Sequence, residues 1–181
     1  MQLQKFNNKI YFGAKFDEAS QKEFMQLARE KSKESPCKRL QVGAVVLSSD
    51  GLVSGKGCNI VPEGVLSCRD IGNECIRSKF KIPSGQGYDK ACFNVHAEQE
   101  ALLEAGLQRA KNGTLFLAGH KFMCNDCTLK VIKSKIQDVY IQFLESDPIQ
   151  HFSLEDLIKQ VNEKFKADIK YLAENAGKTL K

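Results

Sequence analysis

The stretch "NVHAEQEALLEAG", residues 94–106, sets a histidine and a glutamate two apart at the start of a helical pattern. That helix reads from about His96 to Arg109 and ends near Lys111–Gly113. The chain holds only three histidines, so the His96/Glu98 spacing raises the question of what completes it downstream. "MCNDC", residues 123–127, answers with two thiols three apart, ahead of a helix in "CTLKVIKSK". Between these helices "TLFLA" (114–118) is a buried-strand candidate, and "DVYIQFL" (138–144) is another.

Working outward, "FDEASQKEFMQLAREKS" is a first helix with Phe24, Leu27 and Ala28 on one face and Asp17 or Ser20 as cap. "VGAVVLSSDGLVSGKGCN" is a β-hairpin, with Val42–Leu47 as its first strand and Asp50-Gly51 as its turn. Residues 60–92 form a long irregular segment, the kind that is functional or held by something. "SLEDLIKQVNEKF" is a helix capped at Ser153 with Leu154, Leu157, Ile158, Val161 and Phe165 on one face. "DIKYL" (168–172) fits either a continuation of that helix or a short last strand. The order α-β-β-α-β-α-β-α predicts an α/β sandwich, helices packed on a mixed sheet with parallel strands late in the chain.

Composition narrows the class. The chain has 181 residues, 42% hydrophobic and 27% charged, which suits one domain over 1–181 and disfavours disordered or fibrous readings. No apolar run approaches a membrane span, and the opening "MQLQKFNNKI" lacks a secretory pattern, so a cytoplasmic protein is expected. Net charge is +5 with lysines dispersed, which alone does not choose a partner. Seven cysteines without an export signal are expected to be thiols or metal ligands rather than disulfides.

A catalytic zinc ion takes three protein ligands and keeps one position open for water. His96, Cys124 and Cys127 supply that count. Both thiols sit at a helix start, where the helix field lowers a thiol pKa. If residues 114–118 form a strand between the two helices, both helix N-termini emerge at one sheet edge, and the 27-residue gap between His96 and Cys124 closes in space. Glu98 is the discriminating residue. Two positions from a ligand, its carboxylate reaches the open position without being a ligand, where it can move protons. A purely structural zinc staple closes with four ligands and has no need of that carboxylate.

These residues resemble the zinc-dependent cytidine deaminase superfamily, whose signature is H-x-E followed by P-C-x-x-C. "HAE" (96–98) and "CNDC" (124–127) are the matching residues. "IPSGQGYDKACFNVHAEQEAL" (82–102) is similar to the deoxycytidylate (dCMP) deaminase branch. The resemblance implies a three-layer α/β/α cytidine-deaminase-like sandwich with a mixed central sheet. It implies zinc on His96, Cys124 and Cys127, with Glu98 catalytic. It further implies Asn59 (in "GKGCN", 55–59) against the nucleoside and the Ala97 backbone N–H against the pyrimidine. A small-molecule nucleotide substrate and a homo-oligomer follow from it too, with no nucleic-acid or membrane partner. Two positions depart from the family: Met123 replaces the usual proline, and Glu100 stands where the branch commonly has asparagine.

By the same resemblance Cys68, Cys75 and Cys92 are candidates for a second, structural metal, and they read equally as small buried side chains. Arg69, Arg77 and Lys79 are the cations of the long segment that a phosphate would meet. His120, four residues before Cys124, reads as a loop histidine, and His151 as a loop residue before a helix. The leading expectation is hydrolysis of dCMP to dUMP and ammonia. The alternatives are the same chemistry on a nucleoside, another base or adenosine in RNA, and a zinc-stabilised binding module without activity. A polynucleotide enzyme calls for stacking aromatics, but the long segment offers only Phe80, Tyr88 and Phe93, and the chain has no tryptophan.

Overall fold

Alternation along the strands decides the layering. In β1 (Gly43–Leu47) Val45 and Leu47 face one way, and Ala44 and Val46 the other. The same split divides Phe116 and Ala118 from Leu115 and Leu117 in β3 (Thr114–Ala118). It also divides Tyr140 from Val139 and Ile141 in β4 (Asp138–Gln142). Successive side chains of a strand point to opposite faces, so each apolar strand feeds two cores. The computed structural model describes residues 16–72, 74–83 and 91–175. Tyr88, the opening decapeptide and the 84–90 part of the Ser-Gly segment lie outside them.

The first core packs α1 (Glu18–Ser32) on the sheet through Phe24, Met25 and Ala28, with Phe116 and Tyr140 stacked beneath and Phe16 edge-on to both. The second core takes Ala97, Ala101 and Ala105 of α3 (Ala97–Ala105), Val131 of α5 (Asn125–Lys133) and Leu157 of α6 (Leu154–Asn175). Helices thus cover both faces of the sheet, the three-layer α/β/α architecture expected. With β2 (Val53–Cys58) and β5 (Gln150–Ser153) the strand order is β2-β1-β3-β4-β5. β1 runs antiparallel to β2 and to β3, and β3 is parallel to β4 across the α5 crossover. The sheet is mixed, as the pattern predicted. Among the described residues no helix is long and apolar enough to cross a membrane.

Several local expectations change. Late strands are not all parallel: β5 closes the sheet antiparallel to β4 and contains His151, which is a strand residue rather than a loop one. His151 Nε2 meets Asp138 Oδ1 at 2.7 Å across that pair, and its ring lies 4.7 Å from that of Tyr140. The helix expected over 96–109 breaks at Gly106 (φ 72), a conformation open to glycine, and resumes as the short α4 (Leu107–Ala110). A second short helix, α2 (Ile76–Lys79), interrupts the long segment. "DIKYL" continues α6, and of the expected apolar face of that helix only Leu157 is buried. Asp17 is the α1 cap, accepting the Ser20 N–H at 2.8 Å.

Candidate metal centre

Register places the site. Gly43 of β1 pairs with Cys58 of β2 and with Ala118 of β3, so three strand ends lie abreast at one end of the sheet. Beyond β2, Ile60 and Val95 form an antiparallel bridge with N–H···O distances of 3.1 and 2.8 Å, which fixes the residue before His96 at that end. Beyond β3, the Gly119 N–H donates to the Gln142 carbonyl at 2.9 Å and turns the chain toward Cys124. His96 is the N-cap of α3 and Cys124 the N-cap of α5, so both ligand-bearing helices begin here. Gln99 of α3 donates to Asp126 of α5 at 2.6 Å, tying the two first turns together.

α3 reaches this position because its sheet-facing side is small. A Cβ at Gly57 would collide with the backbone of Ala97 and Ala101, and one at Gly55 with the backbone of Ala101 and Ala105. Glycines on β2 and alanines every fourth residue on α3 let helix and strand come into backbone contact. The sequence shows this signal as "SGKGC" against "AEQEALLEA", and spacing analysis of the histidine alone passes over it.

The three expected ligands meet. His96 Nδ1 lies 3.5 Å from Cys124 Sγ and 3.4 Å from Cys127 Sγ, and all three donor atoms fall within 4.8 Å of one another. A tetrahedral zinc with Zn–N of ~2.0–2.1 Å and Zn–S of ~2.3 Å sets nitrogen and sulfur about 3.5 Å apart, so the donor set fits the ion. Among the described residues no other group of three such side chains comes this close. Cys124 Sγ also accepts the Cys127 backbone N–H at 3.4 Å, as an N-cap does.

The electrostatics match a ligand set. The hydrogen bond from Cys127, with His96 beside it, pulls the Cys124 thiol down to about 4 despite burial. Cys127 is pushed up by that same bond to Cys124 and by burial. His96 is raised, chiefly by its bond to Cys124. Glu98 is 5% exposed, and burial holds its carboxyl above the ordinary range. A metal ion held by the three donors would keep both thiols as thiolates.

The other expected residues are placed less directly. Ala97 is buried at the first turn of α3, where the N–H has no intrahelical acceptor. Asn59 is buried and braces the end of the sheet: its Oδ1 accepts the Val42 N–H at 2.8 Å and its Nδ2 donates to the Leu40 carbonyl at 2.9 Å. Cys68, Cys75 and Cys92 line one small pocket together with Cys37, which sequence reasoning missed because it precedes β1 on a separate segment. No three of these four thiols reach the closeness of the His96 group. All seven cysteines are free.

The cations of the long segment are engaged. Arg69 donates to the Ser35 carbonyl at 3.1 Å, Arg77 is buried and donates to the Pro83 carbonyl at 2.8 Å, and Lys79 lies 3.8 Å from Glu74. Met123, in place of the family's proline, packs against the second core. The Cβ of Glu100 faces Gly57 on the β2 side of α3. His120 is half-buried within electrostatic reach of His96 and Cys124, and burial lowers its pKa.

Comparison with known proteins agrees with this geometry. Residues 18–143 match the family model described as the cytidine and deoxycytidylate deaminase zinc-binding region. A deoxycytidylate deaminase of Schizosaccharomyces pombe is 31% identical over 116 residues, 64% of this chain and 34% of that protein. One from Mycobacterium phage D29 is 30% identical over 119 residues, 64% of this chain and 88% of that protein. The matched regions are 34% and 35% of the lengths of the two yeast relatives, so the chain spans about a third of each. Among solved structures, the apo dCMP deaminase of cyanophage S-TIM5 superposes with a TM-score of 0.52 at 25% identity, over 70% of this chain and 85% of that one.

Proposed function

Because this chain belongs to the cytidine and deoxycytidylate deaminase zinc-binding family, we propose that it converts dCMP and water to dUMP and ammonia. The observation that carries the reading is the buried carboxyl of Glu98 beside a ligand set whose His96 Nδ1 stands 3.5 and 3.4 Å from the two thiols. A zinc staple in a binding module has no use for that carboxyl, and burying it costs stability.

His96, Cys124 and Cys127 are the residues that hold the metal. Zinc bound there supplies Lewis acidity, bringing a water pKa from ~15.7 toward ~7. Glu98 does the proton work. It takes one proton from the attacking water and delivers it to ring N3, then takes the second from the new C4 hydroxyl and gives it to the departing amine. The water oxygen ends on C4, the C4–N bond breaks, and the amine leaves as ammonia. A carboxyl whose pKa is raised by burial has both protonation states within reach, as a group that gives and takes in one cycle requires. The Ala97 N–H, one of the unpaired donors at the α3 start, receives the pyrimidine carbonyl. Asn59 has one amide hydrogen beyond its bond to Leu40, and that hydrogen meets the nucleoside.

Free thiols throughout support a reducing, cytoplasmic setting. Dispersed lysines support a free nucleotide over a nucleic-acid strand. The test is ammonia release from purified protein offered dCMP, CMP, deoxycytidine, cytidine, guanine and adenosine. Release from dCMP ahead of the others is expected. Equal or faster turnover of deoxycytidine or of another base overturns the substrate, and no release from any of them overturns the enzyme.

A further inference from the structure

β3 ends at Ala118, and the chain leaves the sheet through Gly119 in the left-handed region (φ 87). A Cβ there would stand 2.4 Å from the Gln41 carbonyl oxygen, so glycine lets this turn press against the chain before β1. The next two side chains part. Lys121 is exposed and sets its Nζ over the ring of Phe143, 5.2 Å from the centre. His120 is half-buried on the side of the metal centre, near enough for the charges of His96 and Cys124 to act on it. It is not a fourth ligand. The donor atoms that lie within 4.8 Å of one another belong to His96, Cys124 and Cys127, and His120 stands outside that group.

The ring is held in one tautomer. Its Nδ1 accepts the Phe122 N–H at 3.3 Å, and a nitrogen that accepts carries no proton, so the proton of the neutral ring is on Nε2. The Phe122 ring stands edge-on at 5.0 Å and fixes the plane of the imidazole. Burial lowers the His120 pKa, which favours the neutral ring. Among the described residues no side chain hydrogen-bonds His120, and its bond to the Phe122 main chain uses Nδ1. A half-buried donor left over beside a reaction centre is a group with a ligand still to meet.

The chemistry of the substrate says which part meets it. The pyrimidine reacts at C4, which must face the metal, and it carries its sugar on N1, across the ring from C4. Groups that stand just outside the ligand set therefore flank the sugar-phosphate arm, whose oxygens accept hydrogen bonds. We propose that His120 is a specificity-determining residue whose Nε2–H donates to an oxygen of the sugar-phosphate arm of the bound nucleotide. This rests on the deaminase reading.

Calorimetric titration of the zinc-loaded chain with dUMP and with deoxyuridine tests the contact without turnover, alongside ammonia release from dCMP. Two substitutions separate the two ring nitrogens. In His120→Asn the amide can stand in for Nδ1 and keep the Phe122 bond, but it does not reach outward; in His120→Gln the amide nitrogen comes near the place of Nε2. Affinity for dUMP should fall ~10-fold in His120→Asn, with KM for dCMP rising in step, and His120→Gln should recover most of the loss. Zinc content should stay at the parent's. A loss confined to dUMP puts the acceptor on the phosphate, and a loss shared by deoxyuridine puts it on the sugar. The proposal is overturned if the parent does not bind dUMP, or if His120→Asn binds it as the parent does. It is equally overturned if His120→Asn keeps affinity that His120→Gln loses, the order that a purely structural bond to Phe122 gives, or if kcat falls while dUMP affinity holds. A parent that binds dUMP through His120 and yet releases no ammonia from dCMP overturns the deaminase reading and leaves this contact standing.

Discussion

Gly57→Ala is the smallest change that should move the metal site without touching a ligand. The new Cβ would stand inside contact distance of the Ala97 carbonyl oxygen and the Ala101 backbone nitrogen. These are main-chain atoms of a hydrogen-bonded helix, so no rotamer change relieves the clash, and α3 must move off β2. Ordinary carbon contacts lie at about 3.5–4.0 Å, which calls for a helix shift of about an ångström or more. His96 caps that helix and travels with it, while Cys124 and Cys127 are held on α5. The N···S separations of 3.5 and 3.4 Å would then widen past what zinc spans, where a tolerance of about 0.2 Å per bond applies.

Overpacking of this kind costs roughly 1–3 kcal/mol, with the upper end expected against backbone. In a domain of this size each kcal/mol lowers Tm by about 2–4 °C. Zinc affinity should fall along with stability, since binding energy contributes to folding. Thermal unfolding and a colorimetric chelator titration measure the two effects on one preparation. A variant that keeps its full zinc complement and melts within about 1 °C of the parent refutes the claim that helix–strand approach at Gly57 sets the ligand geometry.

Three further outcomes separate the roles of individual groups. Glu98→Gln should retain zinc and fold while losing ~10²-fold or more in turnover, the loss usual for general acid–base catalysis, and ammonia release with parallel metal analysis decides it. Cys124→Ala should lose metal and Tm together, and metal analysis of the unaltered chain should give about one zinc, or two if the Cys37, Cys68, Cys75 and Cys92 pocket also binds. Arg69→Ala, at an exposed side chain, should leave Tm nearly unchanged. If that arginine meets the phosphate, its loss raises KM for dCMP by ~10-fold or more and leaves deoxycytidine untouched.

The parts legible in the sequence were those written in local spacing. β3 falls on Thr114–Ala118 as read, because five consecutive apolar or β-prone residues bounded by Gly113 and Gly119 have no other use. The hairpin followed from Asp50-Gly51, and the ligand trio with Glu98 followed from two short motifs at helix starts. β5 was illegible because "QHFS" is too short and too polar to announce a strand. Its pairing with β4, and the His151–Asp138 contact, are tertiary facts. The full extent of α6 was ambiguous for the opposite reason. Its apolar pattern persists, but the sequence does not say that the body ends beneath Val161.

The candidates for phosphate recognition show why charge alone did not carry the substrate assignment. In the sequence Arg69, Arg77 and Lys79 look equivalent, three cations on one polar segment. In the structure Arg77 is a buried strut bonded to Pro83, Arg69 is an exposed tether to Ser35, and Lys79 pairs loosely with Glu74. An exposed ion pair contributes about 0–1 kcal/mol, so Lys79 would be released at little cost, and Arg69 would exchange one neutral acceptor for a charged one if it met the phosphate. Arg77 is itself buried, so its removal would leave a void and the Pro83 carbonyl without its donor, and its loss would be felt as instability whatever the substrate. Glu100, which stands where the branch commonly has asparagine, has its Cβ against Gly57 on the sheet side of α3. Discrimination of nucleotide from nucleoside is therefore to be tested at Arg69 and Lys79, whose present partners are given up cheaply, and not read from the count of basic residues.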